Sequence, residues 1–158
     1  MTNILRFAGL ALISFLLLTG CGNEPQRLPY LGNVEIKGAD TLYHTVPDIT
    51  LTDQDSQTYR ISTLNNKIIL ADFFFTSCPS ICPKVKKQML RLYDRYKDDD
   101  RVVMISHTID QRHDSVAVLN RYAHNLGVDT DKWKFVTGEK DSIFYLADRY
   151  FVSVIEDP

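Results

Sequence analysis

The chain has 158 residues, of which 44% are hydrophobic and 24% are charged, and these proportions are those of one ordinary globular domain. Its net charge of −2 and its pI of about 6.0 exclude the basic surface that nucleic-acid binding requires, so nucleic acid is not an expected partner. The three cysteines are an odd number, and Cys21 lies far from the other two in sequence.

The first residues are typical of an exported lipoprotein. Arg6 precedes an apolar run over residues 7–18, which is too short to cross a bilayer comfortably and suits a signal peptide. The run ends in Leu-Thr-Gly-Cys, which resembles a bacterial lipobox and predicts a signal peptide at residues 1–20 and lipidation of Cys21. An uncleaved anchor helix and an ordinary secreted protein are the alternatives. We therefore expect a lipoprotein anchored to a membrane of the bacterial cell envelope, facing the periplasm or extracytoplasmic space, where thiols meet oxidants.

The segment after Cys21 is predicted to hold the domain away from the membrane. Residues 22–30 are polar, contain two prolines and show no apolar periodicity, so residues 21–45 are expected to form a tether and a first strand. The alternation in residues 45–64 predicts short strands with a turn near residues 53–56, which together form an N-terminal hairpin.

Strands and helices alternate in the remainder of the chain. Residues 68–75 are apolar except for Asp72, and such a run predicts a strand buried on both faces of a sheet. After a first helix, the pattern predicts a strand at 101–109, a helix at 114–127, a strand at 133–136 and a helix at 139–150. This alternation implies parallel strands with right-handed crossovers, so the fold class is α/β.

Two cysteines, Cys78 and Cys82, lie at the junction between the apolar strand and the first helix. Apolar residues after Pro79 recur at three- and four-residue steps, and the lysines between them, Lys86 included, are expected on the solvent-exposed face. A separation of four residues in a helix places Cα atoms roughly 6 Å apart, so the pair could form or open a disulfide. Amides at a helix N-terminus favour the thiolate, which attacks disulfides and binds soft metals.

The residues around this pair resemble those of the Sco (SenC) family of thioredoxin-like, membrane-tethered copper proteins. The resemblance rests on Cys-Pro-Ser-Ile-Cys-Pro at 78–83, on the Phe-Phe-Phe-Thr-Ser before it, on the turn at 110–114 and on Trp-Lys-Phe-Val-Thr-Gly at 133–138. It implies a thioredoxin-like fold for residues 46–158, with copper, as Cu(I) or Cu(II), bound by Cys78 and Cys82. The implied partner is a cytochrome oxidase subunit or another cysteine-containing envelope protein.

The sequence departs from that family in two places. The third copper ligand of the family is a histidine in a later hairpin, which would lie beyond Pro158, so the C-terminal strands and helix of the fold are expected to be missing. The Asp-Pro-x-Arg-Asp of many relatives is Asp-Gln-Arg-His-Asp at 110–114 here. His107 and His113 flank that turn and could replace the missing ligand, but both are expected to be polar loop histidines.

Asp72 lies six residues before Cys78 and resembles the buried acid of thioredoxins. A carboxyl group buried in an apolar strand has a raised pKa and can exchange protons with a thiol. The alternative is an Asp72 that is satisfied by backbone amides or lies at the sheet edge. Met89 and Met104 are soft enough to attract copper, but both fall on apolar faces and are predicted to belong to the core.

Two functions are compatible with these residues. The first is a membrane-tethered chaperone that delivers copper to, or reduces the cysteines of, a respiratory oxidase copper site. The second is a thiol-disulfide oxidoreductase that holds no metal, in which Cys78 attacks a partner and Cys82 resolves the mixed disulfide. A purely structural disulfide is disfavoured, because a bridge across four residues closes too small a loop to stabilise much.

Overall fold

The computed structural model describes residues 28–154, so the predicted signal peptide and the lipidated Cys21 lie outside the described residues. Between residues 28 and 154, none of the helices has the length and apolar character needed to cross a membrane. The chain divides into two compact units, one ending at His44 and the other beginning at Thr45.

The described part of the first unit contains a small antiparallel hairpin. Its strands are β1 (Glu35–Lys37) and β2 (Asp40–Leu42). Gly38 in the turn has a φ of +66°, which glycine adopts without strain. The rings of Tyr30 and Tyr43 stack with their centroids 4.1 Å apart. A strand is therefore present in the region where the sequence predicts the first one.

The second unit is built on a five-stranded sheet with the order β4-β3-β7-β6-β5. Its strands are β3 (Thr50–Asp53), β4 (Thr58–Arg60), β5 (Ile68–Phe74), β6 (Val102–Thr108) and β7 (Trp133–Thr137). The last three are parallel, whereas β3 runs antiparallel to both of its neighbours. The α/β class, the N-terminal hairpin and the parallel strands are thereby confirmed.

Three helices connect and follow the parallel strands. They are α1 (Ile81–Tyr96), α2 (Val116–Leu126) and α3 (Lys140–Arg149). Each carries its apolar residues at helical spacing, which is why it packs on the sheet. Gly127 ends α2 in the left-handed conformation, with a φ of 67°, at the residue where the predicted helix 114–127 also ends.

The strand that precedes the cysteines differs from its prediction. We expected β5 to be buried on both faces, but it lies at an edge of the sheet, and Ile68 is 57% exposed. Within residues 28–154, β6 is the one strand that pairs with it, so the backbone groups on its other side have no strand partner there. Apolar composition indicates a strand but does not reveal its position in the sheet.

The core of the second unit has two parts, one on each face of the sheet. The first contains Phe74, Met104, Trp133 and Phe135 together with both cysteines, and the second contains Leu51, Ile105, Val136, Ile143 and Leu146. The alternation of side chains along β6 separates Met104 from Ile105. Met104 is fully buried and Met89 is 7% exposed, so their prediction as core residues is confirmed.

Candidate functional site

Cys78 and Cys82 are both free thiols at the start of α1. Cys78 lies in the loop before the helix, and Cys82 lies in its first turn. The backbone N–H of Cys82 donates a hydrogen bond to the Sγ of Cys78 across 3.4 Å. The structure therefore brings together the two sulfurs that the sequence predicts to act together.

The thiols are more buried than their position at the start of a helix implies. Each cysteine is only 8% exposed. Access is through an open cleft of about 320 Å³ between α1 and α2. Its walls are mainly apolar, with two lysines, and consist of Phe75, Thr76, Pro83, Lys86, Lys87, Leu90, Tyr122 and Leu126 in addition to the cysteines. An open apolar cleft lined by reactive thiols is suited to receiving a segment of another protein.

The two thiols have different acidities. Hydrogen bonds from the backbone N–H groups of Cys82 and Ser80 lower the pKa of Cys78 to about 6. Burial raises the pKa of Cys82, and the nearby sulfur of Cys78 adds to that effect. At neutral pH, Cys78 is therefore a thiolate and Cys82 a protonated thiol, which is the asymmetry that thiol exchange uses.

Asp72 is buried, as its position in an apolar strand predicts, with 9% of its surface exposed. One carboxylate oxygen accepts a hydrogen bond from Lys86 Nζ across 3.3 Å, and the other accepts one from the hydroxyl of Ser106. Trp133 Nε1 in turn donates to that hydroxyl across 2.8 Å. The carboxylate is thus satisfied by side chains from α1 and β6.

Lys86 is a residue that sequence reasoning placed wrongly. We expected it on the solvent-exposed face of α1, but it is only 4% exposed, and its ammonium lies over the rings of Phe74, Trp133 and Phe135. Burial lowers the pKa of Lys86, and Asp72 opposes that shift. The available signal was its spacing, since Lys86 follows Cys82 by four residues and precedes Met89 by three.

Asp114 is a second residue whose role the sequence did not reveal. The sequence predicts that a helix begins at residue 114, but α2 begins at Val116, and Ser115 is its N-cap. Asp114 is fully buried and accepts hydrogen bonds from the N–H and hydroxyl of Thr76 and from the hydroxyl of Thr108. It thereby ties the loop that carries Cys78 to the end of β6.

His107 and His113, which flank the turn at residues 110–114, have different environments. His107 is not a loop residue, as we expected, but a fully buried residue of β6 whose ring stacks on Phe73. Adjacent residues of a strand face opposite sides, so His107 lies on the face away from Ser106 and the cysteines. His113 is an exposed loop residue, as predicted, and it is paired with Asp110.

A metal bound at this site would find sulfur donors. In residues 28–154, no three side chains of the types His, Cys, Asp and Glu lie together as a ready-made metal site. Cys78 and Cys82 both line the cleft and offer two sulfur donors there. Two thiolates suit Cu(I), a soft ion that accepts low coordination numbers, and do not suit ions that prefer oxygen ligands.

Comparisons with known proteins agree on one family. The family model described as SCO1/SenC matches residues 38–158. The SCO1 protein homolog of Bacillus subtilis is 31% identical over 146 residues, a match that covers 91% of this chain and 69% of the relative. A protein of Stutzerimonas stutzeri named for copper binding is 30% identical over 79 residues, which cover 49% of this chain and 39% of that protein.

Solved structures of similar fold include BsSco, which is described as having a disulfide switch and as a member of the Sco family of cytochrome c oxidase assembly proteins. Its TM-score with this chain is 0.64 at 30% sequence identity, over 73% of this chain and 68% of BsSco. The thioredoxin-like architecture predicted from the cysteine motif is confirmed by this likeness.

Proposed function

The chain belongs to the SCO1/SenC family, and from that premise we propose that it carries copper on Cys78 and Cys82 during assembly of a cytochrome oxidase copper site. The observation that carries the proposal is a pair of free thiols that line one open cleft. The backbone N–H of Cys82 donates a hydrogen bond to the Sγ of Cys78. Copper is the cargo, and the acceptor is an oxidase subunit or another cysteine-containing protein of the cell envelope.

Cys78 is the sulfur that receives the metal first. It is ionised at neutral pH because two backbone N–H groups lower its pKa, so it needs no base to become a ligand. Cys82 follows when its proton leaves, and the open cleft lets sulfurs of an acceptor approach the same ion. Transfer then proceeds by exchange of one thiolate ligand for another, which suits a soft, low-coordinate ion.

A thiol-disulfide oxidoreductase that binds no metal is the second candidate function. The specific observation in its favour is the opposite direction of the two pKa shifts, lowered for Cys78 and raised for Cys82. In that reaction the Cys78 thiolate attacks a disulfide of the partner and forms a mixed disulfide. Cys82 then attacks Cys78 and releases the partner's second thiol, so two electrons pass to the partner.

We assign Asp72 to the proton step of either reaction. Cys82 must lose a proton before it can bind copper or resolve a mixed disulfide. Asp72 is a buried carboxylate held by Lys86, which lies one helical turn from Cys82. Asp72 does not line the cleft with Cys82, so the proton would reach its carboxylate, and return, by way of Lys86.

We also propose that residues 1–20 are a signal peptide, that residues 21–45 form a lipid-anchored tether with a first strand, and that residues 46–158 form the copper-carrying domain. The support is the Leu-Thr-Gly-Cys sequence that ends at Cys21, followed by a polar segment with two prolines. In a bacterial host, the wild type should partition with the membrane fraction, and Cys21→Ser should remain in the soluble fraction. Equal partitioning of the two proteins contradicts lipid anchoring.

The copper function is tested by titrating the reduced protein with Cu(I) in competition with a chelator. Wild type should bind one equivalent tightly, and Cys78→Ala and Cys82→Ala should each lose that binding, because one thiolate alone holds the ion weakly. Cys21→Ser is the matched control and should bind as the wild type does. Absence of tight binding by the wild type rejects the copper function, and rapid reduction of a disulfide substrate by the metal-free protein would then favour the oxidoreductase.

A further inference from the structure

The ion pair between Lys86 and Asp72 has a defined orientation relative to the thiols. Lys86 lines the same cleft as Cys78 and Cys82, whereas Asp72 is absent from the described residues that line it. Lys86 Nζ is held in place because it donates hydrogen bonds to Asp72 and to Ser106 Oγ, the latter across 3.1 Å. Lys86 is therefore the member of the pair that contributes to the wall of the cleft.

The position of this charge is held by aromatic packing as well as by hydrogen bonds. The ammonium lies 4.4 Å from the ring centroid of Phe74, 4.9 Å from that of Trp133 and 5.2 Å from that of Phe135. Lys86 follows Cys82 by four residues on α1, so the two side chains lie on the same face of the helix, one turn apart. A charge fixed in advance and shielded from water acts more strongly than a mobile surface charge.

We propose that Lys86 is a positioning residue that favours the negatively charged, copper-loaded dithiolate over the neutral disulfide. This inference rests on the proposed copper function and extends it to a residue outside the dithiol motif. Cu(I) bound by two thiolates has a net charge of −1, and this charge is stabilised by the adjacent ammonium. The disulfide has no charge, so the ammonium gives it no comparable stabilisation.

The charge of Lys86 should also affect the equilibrium between the reduced, copper-binding form of the two cysteines and their disulfide. Oxidation by glutathione disulfide forms the bond between Cys78 and Cys82, breaks the bond of glutathione disulfide and leaves two glutathione thiols. Two electrons thus pass from the protein to glutathione, together with one proton from the Cys82 thiol and one from the solvent, because Cys78 is already a thiolate. By favouring the thiolate forms, Lys86 should shift this equilibrium towards the reduced protein, ready to receive copper.

The test uses a background in which removal of Lys86 does not leave a buried carboxylate without a partner. Asp72→Asn and the double variant Asp72→Asn with Lys86→Met differ only at residue 86, and neither has a buried carboxylate at residue 72. In Asp72→Asn the ammonium loses its carboxylate partner but keeps its hydrogen bond to Ser106 Oγ. Chelator competition with Cu(I) alone should give an affinity roughly tenfold lower for the double variant than for Asp72→Asn. Equilibration of the metal-free proteins with glutathione should give more disulfide in the double variant.

Two further variants separate charge from structure. Lys86→Arg keeps the charge in the wild-type background and should retain Cu(I) affinity to within a few-fold, whereas Lys84→Met removes an exposed charge of the same helix and should change it less than about twofold. Near-ultraviolet circular dichroism checks that each variant is folded under the conditions of the titration. A purely structural lysine would change unfolding but not these two equilibria.

The outcomes distinguish this inference from the function on which it rests. If wild type fails to bind Cu(I), the copper function itself fails. If wild type and Asp72→Asn bind Cu(I) and the double variant binds it equally well, the copper function stands and the role of Lys86 is overturned.

Discussion

The carboxylate of Asp114 accepts hydrogen bonds from both the backbone N–H and the hydroxyl of Thr76, although 38 residues separate the two in sequence. Thr76 precedes Cys78 by two residues, and Asp114 ends the loop before α2. These bonds connect the loops that follow two neighbouring parallel strands, β5 and β6. The conformation of the cysteine loop therefore depends on a residue from a different part of the chain.

Replacement of Asp114 by Ala should lower the free energy of unfolding by about 3 kcal/mol, because the half-buried donors of Thr76 and the buried hydroxyl of Thr108 lose their acceptor. Urea unfolding followed by circular dichroism measures this change. Asp94→Ala, which removes an exposed carboxylate from α1, is the control and should change stability by less than about 0.5 kcal/mol. Equal effects of the two substitutions would show that the bonds of Asp114 contribute little to the fold.

Cys78 should be the thiol that reacts first with an alkylating reagent. Because backbone N–H groups lower its pKa to about 6, its alkylation rate should rise through that pH and level off above it. Mass spectrometry of the reduced protein, alkylated over a range of pH, identifies which cysteine is modified.

Cys82→Ala provides the matched control for this experiment, since the substitution removes one thiol but keeps the N–H that donates to Cys78. The low pKa of Cys78 should persist in that variant. A rate that rises only near the ordinary thiol pKa of about 8.5 would contradict the geometry found at the start of α1.

Burial of His107 should make the protein less stable in acid. Burial lowers the pKa of His107 from 6.5 to about 4, so between these values the unfolded chain binds a proton that the folded protein does not. The stability due to neutral His107 is therefore fully present above about pH 6.5 and is lost as the pH falls towards 4, by about 3 kcal/mol in all.

His107→Phe should reduce that dependence on pH, because Phe keeps the stacking on Phe73 and does not titrate. Urea unfolding at several pH values measures the slope for each protein. His124→Gln, which changes an exposed residue of α2, should leave the slope unaltered. A slope that is the same in His107→Phe and wild type would mean that another group causes it.

Gly127→Ala should destabilise the protein by about 1 kcal/mol. The reason is the backbone alone, since the φ of Gly127 is +67° and a Cβ there would meet no atom within 4 Å. Gly127→Asn should be less destabilising than Gly127→Ala, because Asn tolerates the left-handed conformation. Thermal unfolding of the three proteins tests this order, and equal stability of Ala and Gly would refute it.

Local patterns predicted much of this molecule correctly. The apolar run before Cys78, the three- and four-residue spacing after Pro79 and the Gly127 stop each reflect a preference of a short segment for one backbone conformation. The acidity of Cys78 belongs to the same class of properties, because the N–H groups that lower its pKa come from residues within four positions of it. Such features can be deduced before any long-range contact is known.

Lys86, Asp114 and His107 show where that reasoning ends. A lysine at a helical position is compatible with either face until Asp72 and Ser106 are placed beside it, and those residues lie 14 and 20 positions away in sequence. Likewise, β6 buries His107 on one face of the sheet and Ser106 on the other only because β5 and β7 flank it.

The sequence by itself thus determined the strand-to-helix junction, the reactive cysteine pair and the α/β order of elements, because those depend on neighbours along the chain. Only the tertiary structure decided which charges lie beside the thiols, which strand forms the edge of the sheet and what holds the cysteine loop. Burial and hydrogen bonding of a polar side chain are set by segments that meet in space, and the free energy of those contacts is not encoded in any one segment.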